Sequence, residues 1–360
     1  MEEKKEVQAS ISPEEANEKV SEDEMFNVLR TVAPGTQFRS GLDGALKSGK
    51  GALIVMENES LLPIMDSGFR VNCRFTPQRL IELAKMDGAI VLSKDLKRIN
   101  YANVLLTPDS KIRSAETGAR HKTAERTAKQ TRSLVIAISE RKHVINIFYK
   151  NVRHHLKSTD EILRKANEHL QLLEKQRELF DANIDKLNKL ELRNYPSLHQ
   201  AVHVIQKGKF IEKIASDLKK YIVELGNESL LIKARMKELA NGIERELSLV
   251  IKDYTKVDVT KSKASLSDLS YEELLENDNI LSSLGYEGDY LIEPIKGWRI
   301  LSKTSLPEAD IAKLIKERGS LGDAIHSNMR SYMELIGEDK AKAFKDEIEK
   351  IKLNPWQLKQ

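Results

Sequence analysis

Apolar positions along this chain fall into two textures. Up to about residue 150 they come in short continuous runs. Ala52–Met56, Gly88–Ser93 and Ser133–Ser139 are apolar on both faces and too short for helices, so they read as buried strands. Val144–Phe148 adds a fourth. Between them, Thr76–Met86 has helical spacing, with Leu80, Leu83 and Ala84 on one face and Thr76-Pro77 as N-cap and first-turn proline. Alternation of such strands and helices predicts a mixed α/β domain over residues 22–158, preceded by a flexible segment over 1–21.

From about Thr159 the strands vanish. A heptad register runs through Leu163, Leu170 and Ile184, and three residues on through Ala166, Leu173 and Leu187, with Phe180 in the same seam. Arg177 interrupts it, which predicts a helical-bundle spine rather than a long two-stranded coiled coil. Pro196 closes this helix, and Gly226–Ser229 separates a second (Ile211 to Leu225) from a third (Leu231 to Leu247). Thr255–Asp268 is polar and lysine-rich and reads as a linker or exposed loop. Beyond it, short helices punctuated by Gly285, Gly297, Gly319 and Gly337 predict a compact helical module. The expected boundaries place the spine at 159–290 and the module at 291–360.

Composition narrows the class. The chain has 360 residues, 40% hydrophobic and 32% charged, with only 5% aromatic, which argues against a large β-sandwich. No run approaches the roughly 18 apolar residues of a membrane span, and the acidic start lacks a secretory pattern. The single cysteine, Cys73, excludes an internal disulfide and any multi-cysteine zinc site, and reads as a small buried apolar residue. A reducing cytoplasm fits these features. A net charge of +4 permits a polyanionic partner without demanding one.

Some motifs are decoys. Gly44–Gly51 has the look of a P-loop, but Gly51 stands where a magnesium-binding hydroxyl belongs, and the segment precedes its strand. It reads as a glycine-rich turn. His199 and His203, four apart, lack a third ligand at a recognisable spacing and read as solvent-facing, and His154-His155 carries less weight still.

Two segments carry chemistry. In Leu83–Val91, Asp87 ends a helix and Gly88 opens a buried strand, holding a carboxylate on a rigid edge beside a residue that admits close backbone approach. In Glu116–Arg126, Gly118 precedes Arg120, His121, Lys122 and Thr123 at the start of a helix, a composition suited to a triphosphate. With Val32–Thr36, Ala52–Val55, Glu82–Ala89, Tyr101–Asn103 and Ala119–Thr131, the chain resembles the DNA integrity scanning diadenylate cyclases.

That resemblance implies an α+β protein: an N-terminal cyclase domain with a central mixed β-sheet, a helical spine and a C-terminal helix-hairpin-helix module. It implies an enzyme that condenses two ATP into cyclic di-AMP and two pyrophosphates across a two-fold axis. Asp87 and His121 would be the catalytic pair, able to hold Mg2+ or Mn2+ with the ATP phosphates. Gly88, Leu106, Ala119, Arg120, His121, Lys122, Thr123, Ser139 and Arg141 would bind nucleotide. Lys122 stands where the family carries a second arginine, exchanging a bidentate fork for a point charge, and Ala119 offers only its backbone. Such chemistry requires Asp87 and the Arg120–Thr123 segment within a nucleotide's width of each other.

Residues 306–351 resemble the helix-hairpin-helix module, which implies sequence-independent binding of duplex or branched DNA through Gly337, Lys340 and Lys342. Leu335 replaces the hairpin's first glycine, and Glu338 and Asp339 add negative charge beside it. The family forms octamers, and a dimer is the minimum the mechanism needs. The alternative is a DNA-binding checkpoint scaffold whose nucleotide domain only senses ATP.

Overall fold

Burial on both faces of the central strands builds the N-terminal layers. In β1 (Ala52–Met56), Ala52 and Ile54 join one apolar cluster while Leu53 and Val55 join another. The computed structural model describes residues 20–286, 288 and 294–353. Helices α1 (Glu22–Thr31), α2 (Gln37–Lys47) and α3 (Pro77–Leu83) cover the first cluster through Val28, Phe38, Leu42 and Leu80. Helix α4 (Ala119–Thr131) covers the second through Ala124 and Ala128. The result is a helix–sheet–helix sandwich, the mixed architecture expected from the sequence.

The remaining strands are β2 (Met65–Asp66), β3 (Phe69–Arg74), β4 (Ala89–Leu92), β5 (Arg98–Leu106), β6 (Leu134–Ser139), β7 (Val144–Tyr149) and β8 (Val152–Leu156). Their order is β2-β5-β4-β1-β6-β7-β8, with β3 also pairing β5. Among the described residues only β1 and β4 pair in parallel; the other pairs are antiparallel. Thr76 caps α3 as expected, accepting a hydrogen bond from the Arg79 amide. Cys73 is only partly buried against the first cluster, because its strand lies at the exposed end of the sheet.

Two compact units divide the chain: residues up to 166 with 220–231, and 167–219 with 232 onwards. The next helices are α5 (Thr159–Leu192), α6 (Leu198–Leu225) and α7 (Leu230–Ala240). The following helices are α8 (Ile243–Tyr254), α9 (Val259–Asp268), α10 (Asn277–Ser283), α11 (Trp298–Leu301), α12 (Glu308–Arg318), α13 (Leu321–His326), α14 (Met329–Ile336) and α15 (Glu338–Leu353).

Several expectations need correction. The third spine helix is two helices, because Gly242 turns left-handed (φ 75°) between α7 and α8. The expected linker at 255–268 contains α9, capped by Asp258, whose carboxylate accepts from the Thr260 and Lys261 amides. Its buried positions, Ser262 and Leu266, are too few to leave an apolar stripe in the sequence. Gly44–Lys47 is the end of α2 rather than a turn. The expected flexible start, residues 1–21, lies outside the described residues except Val20 and Ser21, and Ser21 closes a capping box on α1.

Arg177 breaks the heptad seam for a positive reason. Its Nη1 donates to the Leu239 and Asn241 carbonyls at 3.0 and 2.8 Å, so it closes the C-terminal end of α7. A second arginine ties the C-terminal helices to the bundle within the same unit. Arg299, fully buried on α11, donates from Nη1 to Asn188 at 2.6 Å and to Glu246 at 3.0 Å, and from Nη2 to Glu191. Glu191 also accepts from the Tyr254 hydroxyl at 2.9 Å. Asp253 accepts the backbone amides of Gly297, Trp298 and Arg299, fixing the start of α11.

Removing Arg299 would leave the buried Glu191 carboxylate without a cation, while Glu246 would keep Lys303 at 3.1 Å. Arg299→Met is expected to cost about 3–5 kcal/mol of unfolding free energy. Chemical denaturation followed by circular dichroism measures this, and a loss below about 1 kcal/mol would remove the network from the account of stability.

Candidate nucleotide site

Strand register places the candidate residues at one edge of the sheet. Ala89 pairs with Leu53 in the parallel ladder, so the entries to β4 and β1 lie side by side. Ala89 also pairs with Val104, and Ala52 with Ile138, in antiparallel ladders. The exits of β5 and β6 therefore reach the same edge. Asp87, Gly88, Gly51, Leu106 and Ser139 are thus gathered on four adjacent strands, each about 5 Å from the next.

Asp87 is exposed at the β4 entry. Gly88 is left-handed (φ 85°), and a Cβ there would meet the Asn103 backbone at 2.7 Å. Its glycine is fixed by the passage of β5 behind it, a stronger constraint than ligand access alone. Leu106 is buried in the apolar cluster under α4, so its side chain belongs to the floor of this edge.

Helix α4 brings the cations. Its N-cap is Gly118, with no capping side chain, and its first turn carries no acidic residue. The first intrahelical bond is Lys122 N–H to Gly118 O at 2.8 Å, which leaves the amides of Ala119, Arg120 and His121 without a helical acceptor. Arg120 and Lys122 add positive charge to the positive end of the helix dipole, an arrangement unfavourable by about 0.3–1 kcal/mol per charge until an anion arrives. Arg120 lies across the β1 entry: a Cβ on Gly51 would stand 2.1 Å from its Nη1. Asp87, in the bend before β4, and Arg120, across the entry of the neighbouring β1, therefore stand at the same edge of the sheet.

His121 packs edge-on to Phe148, ring centroids 6.3 Å apart. Burial lowers its pKa; Arg153, Arg120 and Lys142 act in the same direction and Glu116 opposes them. The shift favours the neutral imidazole. Thr123 is half-buried, while Ala119 and Lys122 are exposed. At the β6 exit, the Ser139 hydroxyl accepts the Lys142 amide at 3.3 Å, and Arg141 is exposed in the same turn.

The sequence reading missed what holds this arrangement. The segment between β5 and α4 is stapled along α4 by side chains from the middle of the recognised motif. Glu125 accepts from the Ser114 hydroxyl and Ala115 amide, Arg126 and Lys129 donate to the Ile112 and Arg113 carbonyls, and Gln130 accepts the Asp109 amide. Their spacing of one and three to four residues on a helix was the available signal. Nearer the cap, Arg153 stands 2.7 Å from Glu116.

Elsewhere the candidates are less open. The His199 and His203 Nε2 atoms face each other at 3.2 Å, but Lys207 and Lys186 lie close enough to His203 to oppose a cation. No group of three metal-ligating side chains occurs among the described residues. At the C-terminal hairpin, Gly337 is left-handed (φ 87°) between α14 and α15. Lys340 is paired with Asp310 at 2.6 Å and Lys342 with Glu338 at 2.7 Å, so both expected DNA contacts already have partners. Among the described residues no helix is long and apolar enough to cross a membrane.

Comparison with known proteins identifies the family. Residues 39–153 match the family described as DisA bacterial checkpoint controller nucleotide-binding, and 156–292 its linker region. The DNA integrity scanning protein DisA of Clostridium beijerinckii is 41% identical over 336 residues, 91% of this chain and 95% of that protein. That of Bacillus cereus is 40% identical over 337 residues, covering 91% and 94%. Among solved structures, DacA from Staphylococcus aureus aligns with 40% of this chain and 95% of its own at 23% identity, with a TM-score of 0.30. The chain belongs to the DisA family, and with it to the diadenylate cyclases.

Proposed function

We propose that the chain joins two ATP molecules into cyclic di-AMP across a two-fold axis between subunits. The observation that carries this reading is the shared sheet edge, where Asp87 precedes β4 and Arg120, from the uncapped N-terminus of α4, lies across the entry of the neighbouring β1. Each subunit holds one ATP, with its phosphates on the free amides of Ala119, Arg120 and His121 and on the Arg120, Lys122 and Thr123 side chains. Ser139 and Arg141 close the same edge, and Leu106 and Gly88 form its floor. The 3′-hydroxyl of each nucleotide attacks the α-phosphorus of the other. A new P–O bond forms, the bond to the bridging oxygen breaks, and pyrophosphate leaves with the electron pair. Asp87 takes the hydroxyl proton, and His121, neutral beside Phe148, donates a hydrogen bond to phosphate oxygen.

The residues also fit a divalent cation borne mainly by the substrate, since one exposed carboxylate is present rather than a full protein cage. Asp87 would hold Mg2+ or Mn2+ with the phosphates, His121 beside it, and the cation would neutralise charge at phosphorus. Because each site holds half of the reacting pair, a dimer is the least active unit, and the octamer of the family is the expected assembly. A cytoplasmic location suits an ATP-consuming enzyme with one free cysteine.

The same reading gives the α14–α15 hairpin weak, sequence-independent contact with duplex or branched DNA, coupling the cyclase to DNA integrity. Glu338 and Asp339 occupy the first turn of α15, and Asp310 holds both Lys340 and Lys313. These acids compete with DNA phosphate for the hairpin's donors and hold its affinity down.

Two outcomes check these roles. Asp87→Asn is expected to cut cyclic di-AMP formation at least roughly 100-fold while leaving the thermal melting curve unchanged. Chromatography of the products from ATP with Mg2+ or Mn2+ reads this, and full yield from the variant rules Asp87 out. Asp310→Asn is expected to tighten binding to branched DNA, with a log–log salt slope steeper by about one to two as Lys340 and Lys313 are released. Fluorescence anisotropy measures the slope. No binding by the parent chain at low salt would remove the DNA reading, and an unchanged slope would remove the role of Asp310.

A further inference from the structure

Three glycines on α2 and at the entry to β1 lack side chains for two reasons. Gly41 and Gly44, on α2, make room for Leu80 and Ile81 of α3, which is apolar packing. Gly51, buried at the entry to β1, makes room for a cation. A Cβ built there would lie 2.1 Å from Arg120 Nη1, 2.9 Å from its Cζ and 3.2 Å from the Ile138 carbonyl oxygen. Gly51 is not among the residues with positive φ, so its backbone suits any L-residue. The missing side chain is therefore explained by the guanidinium rather than by the turn.

Arg120 has no ion-pair partner among the described residues, although it is half-buried. An arginine tethered by a carboxylate would have its charge spent inside the protein. Here shape takes the place of a tether. The guanidinium rests over a bare stretch of backbone between β1 and the end of β6 and keeps its donors for an incoming phosphate.

Resting on the reading of this edge as an ATP site, we infer that Gly51 is a positioning residue that seats Arg120 for phosphate binding. The last glycine of the P-loop-like segment thus acts on phosphate indirectly, through the arginine it accommodates. A methyl at residue 51 must push the guanidinium from 2.1 Å to ordinary contact, 3.4 Å or more. The arginine stem is flexible and can rotate away, so the displacement changes the aim of the head group with little effect on the fold. Misplacement on the scale of 1 Å is enough to lower turnover by roughly 100-fold.

The test is a double-mutant cycle in the full chain with Gly51→Ala, Arg120→Ala and the pair, read on cyclic di-AMP formation and on ATP affinity by calorimetry. Gly51→Ala alone is expected to lower turnover roughly tenfold to 100-fold and to weaken ATP binding, with an unchanged melting curve. In the Arg120→Ala background the same change is expected to alter either quantity by less than about twofold, because the group it displaces is gone. A general packing defect would instead cost the same factor in both backgrounds, and that result overturns the inference. So does a Gly51→Ala variant with parental ATP affinity. Absence of product from the parent chain would dispose of the cyclase reading, while the ATP-affinity cycle would still decide the role of Gly51.

Discussion

The parallel ladder between β1 and β4 is the constraint from which the site follows. Pairing Leu53 with Ala89 sets the two strand entries side by side. Antiparallel partners on either side, β5 against β4 and β6 against β1, then return their exits to that edge. Asp87, Leu106 and Ser139 come from positions far apart in sequence, yet hydrogen-bond register alone fixes their spacing. Side chains buried on both faces hold the register, since a slip of one residue would exchange the two apolar clusters. The sheet core thus fixes the strand ends from which the short segments carrying Gly51 and Asp87 depart.

The central strands β1, β4, β6 and β7 were legible in the sequence because burial on both faces writes an unbroken apolar run. The flanking strands were not. In β3 the residues are mostly exposed or half-buried, and Arg70 and Arg74 break any alternation. In β5 the register shifts against β4, and Asn103 turns left-handed (φ 53°), which disrupts the two-residue period. Strand β8 carries His154 on its inward face, between Val152 and Leu156, where an apolar residue would mark it. The motif around Arg120 was visible as composition, but its dependence on Gly51 was not. Those residues meet through space, and the sequence showed only a glycine in a misleading context.

Two helix N-termini in this chain show the same physics with opposite sign. Helix α4 begins with bare amides, no acid in its first turn and cations at its positive end. It is locally unfavourable, and no carboxylate among the described residues pairs with Arg120 or Lys122. Helix α15 begins with Glu338 and Asp339, and Glu338 also engages Lys342. Its dipole is already answered by the chain's own charge.

That contrast bears on which role dominates. A site kept in an unfavourable electrostatic state, on a rigid edge and beside an exposed carboxylate, gains most from binding an anion that brings charge to neutralise. A hairpin whose lysines are already paired gains less, because every DNA phosphate must first displace Asp310 or Glu338. The chain's own charge therefore favours an outside anion at α4 over one at α15. Lys340 and Lys342 must leave Asp310 and Glu338 before they can meet an outside anion.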